Sequence, residues 1–194
     1  MNIMSEKITI SIIGSASGKN KYDHLLNEEK WHYMCQISEN YIIEKIKHDW
    51  SQIILVSGGA AWSDHVAVFL YLKHPEANLI LHLPCRWDHC NNRLIDNGKY
   101  QWTTNPGKLG NTLHYNFQKE IKENTLQQIQ LAIDQGATIF DHYKGFHDRN
   151  LEVGKSQYLI AFSFSHRNEP TDGGTAHTWK NSKSENKIHF TLTK

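Results

Sequence analysis

Short β-branched runs that stop at glycine and give way to helical spacing constrain this chain more than any other feature. Residues 53–56 (IILV) are apolar and short, the pattern of a buried strand. Ser57-Gly58-Gly59-Ala60 follows, and Val66, Ala67, Phe69, Leu70 and Tyr71 then recur at helical spacing. The reading is strand, glycine turn, helix. Residues 7–13 (KITISII) make a second strand that stops at Gly14-Ser15 in a Gly/Ser turn running to Gly18. A third, 158–164 (YLIAFSF), leads to Asp172-Gly173-Gly174-Thr175 and a helical segment from Ala176.

The remaining segments keep the alternation. Residues 28–49 carry Trp31, Met34, Ile37, Tyr41, Ile42 and Ile46 at helical spacing, and 78–83 is a strand closed by Pro84. Residues 85–112 are polar, aromatic and punctuated by Asn105-Pro106-Gly107, which predicts an irregular insertion. Helix is expected over 117–135, and strands over 137–140 and 188–192. Strands alternating with helices predict an α/β fold, a Rossmann-like three-layer sandwich with a mainly parallel sheet. The 194 residues suit a single domain.

Charge and composition narrow the partners. A formal net charge of +1 gives no electrostatic footprint for nucleic acid. No apolar run reaches the ~18–20 residues of a membrane helix, and the first residues lack a signal-peptide pattern. Cys35, Cys85 and Cys90 form no disulfide framework, so a cytoplasmic location is expected. His82, Cys85, His89 and Cys90 match no standard metal-finger spacing, so neither metal nor cofactor is expected. A homo-oligomer is compatible with all of this.

In a doubly wound sheet, loops at the carboxyl ends of strands converge on one crevice. Glycine lets a ligand approach the main chain, and a helix start presents unpaired N–H groups to an anion. Three glycine turns after three strands therefore predict a shared phosphate- or nucleotide-binding crevice. Arg149 and Asn150 are expected just before a helix, as a planar guanidinium fork for phosphate and a helix cap.

Together these residues resemble the SLOG superfamily, which gathers DNA-processing Smf proteins, "lonely guy" phosphoribohydrolases and nucleotide-sensing domains. The matching positions are Gly14, Ser15, Ser57, Gly58, Gly59, Ala60, Asp64, Arg149, Asn150, Gly173, Gly174 and Thr175. The resemblance implies that they line a nucleotide site, and Thr178 joins them as a candidate contact. One departure concerns chemistry: Lys180 stands roughly where the phosphoribohydrolases carry a catalytic glutamate.

Other candidates lie nearby. Asn111, His114 and Asn116 precede the expected helix, where the insertion would form a lid over a base or ribose, with Trp87 and Trp102 stacking on a base or pinning the loop. Asp64, His65, His114 and Asp172 are the acid/base candidates; Asp64 or His114 would replace the missing glutamate in hydrolysis, while the preferred role of Asp64 is that of a ribose-hydroxyl acceptor. The sequence contains neither a G-x-S-x-G elbow nor a P-loop. The expectation is a binder of a nucleotide or nucleotide-derived small molecule, ADP-ribose-like or cyclic, acting as sensor, sequestering protein or hydrolase. The alternatives are a nucleotide N-glycoside hydrolase and a single-stranded DNA-binding protein.

Overall fold

A computed structural model describes residues 7–16, 25–46, 49–101 and 103–193. The strands in chain order are β1 (Ile8–Gly14), β2 (Ile53–Ser57), β3 (Asn78–His82), β4 (Trp87–Asp88), β5 (Arg93–Leu94), β6 (Thr138–Phe140), β7 (Tyr158–Ser163) and β8 (Asn186–Thr191). The helices are α1 (Glu28–Tyr41), α2 (His65–Lys73), α3 (Pro106–Ile121), α4 (Thr125–Asp134), α5 (Phe146–Val153) and α6 (Gly173–Asn181). Six strands form one all-parallel sheet in the order β6-β3-β2-β1-β7-β8. Helices cover both faces, so the fold is the α/β three-layer sandwich that the alternation predicts. No helix among the described residues is long and apolar enough to cross a membrane.

The two faces of the sheet bury different amounts of chain. Ile10 and Ile12 of β1 point into a large core under α1–α4, with Trp31, Trp62, Phe117 and Phe162 among its biggest buried side chains. Ile13, Val56, Leu159 and Ala161 point the other way, into a thin layer closed by Val153 of α5. Ser11 faces that layer too, and its Oγ donates to Val153 O at 2.6 Å, which seats α5 directly on β1. Strand β1 sends the chain to β2 on one side, and β7 returns on its other side. The topological switch point therefore lies between β1 and β7, where ligands of such sheets bind.

Several segments depart from the sequence expectation for local reasons. The helix expected over 117–135 is two helices. Lys122 turns left-handed at φ 58°, and Asn124 then caps α4 by accepting from Gln127 N. The expected insertion holds the β4–β5 hairpin and the first turns of α3, which Asn105 caps and Pro106 opens. Gly107 and Gly110 let α3 lie against β5, because a Cβ there would strike Ile95 O and the Leu94 side chain. Helix α1 ends in a π turn over Ile42–Ile46. Helix α6 starts at Gly173 and helix α5 at Phe146, both earlier than expected.

Candidate functional site

Asp64 is the junction of the site. It sits in the short 3-10 turn Trp62–Asp64 just after β2 and is buried. Its carboxylate accepts from the backbone N–H groups of Gly14 and Ala60 and from Arg149 Nη1 at 3.0 Å. Arg149 comes from α5 on the opposite side of the turn, and both side chains are only 6% exposed. Burial pushes the Asp64 carboxyl above its ordinary range, against the pull of Arg149 and the two N–H groups. Burial likewise pulls the Arg149 guanidinium down, opposed by Asp64.

The glycine turn is built around this pair. Gly58 carries no side chain because a Cβ would fall on the Arg149 guanidinium and the Asp64 carboxylate. Gly59 takes φ +66°, and a Cβ there would meet Leu83. Ser57 Oγ donates to Asp64 O at 2.8 Å and accepts from Gly59 N at 3.0 Å. So the N–H groups of Gly14, Gly59 and Ala60, expected to face a ligand, are engaged within the protein. At the end of β1, Ser15 N donates to Phe162 O, and Ser15 O accepts from Ser63 Oγ. Ser17 and Gly18 of that turn lie outside the described residues, as does Trp102.

Two groups remain uncommitted. Arg149 Nε is buried and has no hydrogen-bond partner. The first turn of α6 opens with exposed Gly173 and Gly174, and Asp172 supplies no side-chain cap. The two helices meet here: Asn150, itself buried, places Nδ2 3.4 Å from where a Gly174 Cβ would stand. Arg149 and Asn150 lie inside α5 rather than ahead of it, since Gly145 holds the cap position. Thr175 is half-buried in the first turn of α6, while Thr178 is buried and donates to Gly174 O at 3.0 Å.

The histidine candidates are structural in this arrangement. His114 lies within α3, fully buried, with Nε2–H donating to the Gly59 carbonyl at 3.1 Å and Nδ1 accepting from Thr125 Oγ1 at 2.9 Å. Burial lowers its pKa to about 4. His65 packs against Trp31, Phe117 and His114, donates to Gln128 Oε1 at 2.7 Å, and is lowered by burial to about 3. Asn111 clamps β5 to α3 through both the N–H and the C=O of Leu94. Trp87 is buried and donates from Nε1 to Gln130. Asn116 and Lys180 are exposed. A sequence pattern places such residues on a segment, and burial then decides which way they face.

Sequence reasoning missed the segment after β6. Asp141, His142 and Tyr143 line a depression of about 340 Å³ with Cys85, Arg86, Ile95 and Asn97, at the carboxyl ends of β3 and β6. The His142 and Tyr143 rings stack at 4.8 Å, and Tyr143 Oη is 2.7 Å from His82 Nδ1. The signal was available, since this triplet directly follows a predicted strand of a parallel sheet. A second depression of about 420 Å³, which includes Asn111 and Tyr115, lies between the hairpin and the α3–α4 junction and shares no residue with the switch point.

A Rossmann-like α/β protein with a buried Asp64–Arg149 ion pair at its switch point is what the fold and this geometry define. The chain is similar to "Uncharacterized protein R261" of Acanthamoeba polyphaga mimivirus, with 37% identity over 190 residues, 96% of this chain and 97% of that protein. It belongs to the family of that viral protein. No family model matches the chain, and no solved structure matches it.

Proposed function

We propose that this protein binds a nucleotide or nucleotide-derived anion across the carboxyl ends of its strands. The observation that carries the reading is the buried Arg149, whose Nε lacks a partner, on the helix whose Asn150 adjoins the uncapped, glycine-rich start of α6. The depression after β3 and β6 offers stacked His142 and Tyr143 rings and the Asp141 carboxylate to the nucleoside end of such a ligand. The resemblance to SLOG proteins agrees with a ligand of this class. Binding is favoured over N-glycoside hydrolysis because both Asp64 and His114 spend their polar atoms on internal hydrogen bonds. A net charge of +1 speaks against single-stranded DNA as the ligand.

A thermal-shift screen over nucleotides, cyclic nucleotides and ADP-ribose derivatives, followed by chromatography of each compound, tests the reading. The expected result is stabilisation without conversion, by mass action on the native state. Conversion of the compound would establish the hydrolase alternative. Absence of any shift across the whole panel would refute the proposal.

A further inference from the structure

The sheet ends differently on its two sides. Strand β6 has three residues, whereas β8 has six. Leu192 N donates to Ser163 O at 2.8 Å, so the two-residue alternation of a strand points the backbone groups of Ile188 and Phe190 toward β7. Those of Lys187, His189 and Thr191 point outward, and among the described residues no backbone group pairs with them. Edge strands are usually protected by proline, a bulge or an outward lysine. Here Lys187 turns its ammonium back, donating to Trp179 O at 3.0 Å and Ser182 O at 3.2 Å. Ile188 and Phe190 stay half-buried although Phe190 stacks on Phe162.

We infer that two copies of this chain associate through the outer edges of β8, antiparallel and related by a twofold axis at His189. That register sets His189 opposite its own copy and Lys187 opposite Thr191, and the outward N–H and C=O groups then close as hydrogen-bonded pairs. Ile188 faces Phe190 of the second copy twice over, an aromatic–β-branched pairing that covers both half-buried side chains. The ends are complementary as well. Glu185, exposed before β8, comes opposite Thr193 of the second copy. The His166–Arg167 turn lies beside that residue, held by Thr193 Oγ1 to His166 at 3.3 Å and by the His189 ring to Arg167 O at 3.0 Å. Glu185 and Arg167 therefore meet with opposite charge. The formal charge of +1 per copy adds little repulsion. The product is one continuous sheet with β6 as both of its outer edges.

Light scattering on the full chain, up to high micromolar concentration, reads the state directly. The expected mass is twice the 22.5 kDa of one chain. Amide hydrogen exchange should show the N–H groups of Lys187, His189 and Thr191 protected in the dimer. Thr191→Pro removes one outward N–H per copy and leaves the β7 ladder intact, so it should weaken dimerisation by roughly 10- to 100-fold. A monomer at all concentrations overturns the inference. So does a dimer in which these three amides exchange freely, or one that Thr191→Pro leaves equally tight. Should that variant fail to fold, protection of the three amides in the unaltered protein decides the matter.

Discussion

Acid should destabilise this protein well above the pH at which carboxylates titrate, because it folds two neutral imidazoles into its core. The native pKa of His65 is about 3 and that of His114 about 4, both depressed chiefly by burial. Unfolded, each returns to about 6.5. Between those limits the unfolded chain binds more protons than the native one, so stability is complete above about pH 6.5 and falls as pH drops through the window. The loss at pH 5 is set almost entirely by the unfolded pKa. It comes to about 2 kcal/mol for each histidine relative to pH 7.5, so about 4 kcal/mol for the two. His82, lowered by burial to about 4 but partly exposed, adds a smaller share.

Urea unfolding monitored by tryptophan fluorescence at pH 7.5, 6 and 5, at constant ionic strength, measures this. The decisive comparison is His114→Gln, whose amide can still donate to the Gly59 carbonyl but does not titrate. Asp64, whose burial raises its pKa and so acts with the opposite sign, is common to both proteins and cancels. The variant should lose about 2 kcal/mol less than the unaltered protein between pH 7.5 and 5. Identical pH losses in the two proteins, or a total loss below about 1 kcal/mol in the unaltered one, would refute the reasoning.

Two further outcomes follow from the buried pair. Asp64→Asn leaves the Arg149 guanidinium buried without a counter-charge and should cost about 3–5 kcal/mol in urea unfolding, while Asp64→Asn combined with Arg149→Met should cost clearly less than the sum of the single changes. Gly58→Ala places a methyl on the ion pair and should cost about 1–3 kcal/mol, measured by the same unfolding curves, whereas Gly136→Ala, with open space at its Cβ but φ +102°, should show only the cost of its backbone.

The legible part of this fold was its periodicity. Apolar runs such as 53–56 and 158–164 announce strands because a sheet buried on both faces leaves little room for polar residues. Strand order was not legible, because β1 pairs with β2 and also with β7, and the second pairing joins residues more than a hundred positions apart, as Ile10 to Tyr158. Helix starts were misplaced for a different reason. Asn105-Pro106 and Asn124 are caps, but the glycines beside the first and the exposed residues around the second read as loop. Their helical character rests on tertiary fit, such as the close approach of Gly107 and Gly110 to β5.

The glycine turn shows why a site is harder to read than a fold. Glycine after a strand signals that something must come close to the main chain, and here three things do: the Arg149 guanidinium at Gly58, the Leu83 side chain at Gly59, and Ser63 at Gly14. All three belong to the protein. The N–H groups of Gly14 and Ala60 do cradle an anion, the Asp64 carboxylate seven residues beyond Ser57. An internal carboxylate and an external phosphate make the same demand on local sequence, namely small residues and free donors. What distinguishes them is the cation. Arg149 arrives from α5, 85 residues later in the chain, and uses Nη1 on Asp64 while Nε stays unpaired. The charge of the carboxylate in the turn is thus met from within the protein, by a guanidinium that no local sequence pattern around Gly58 announces.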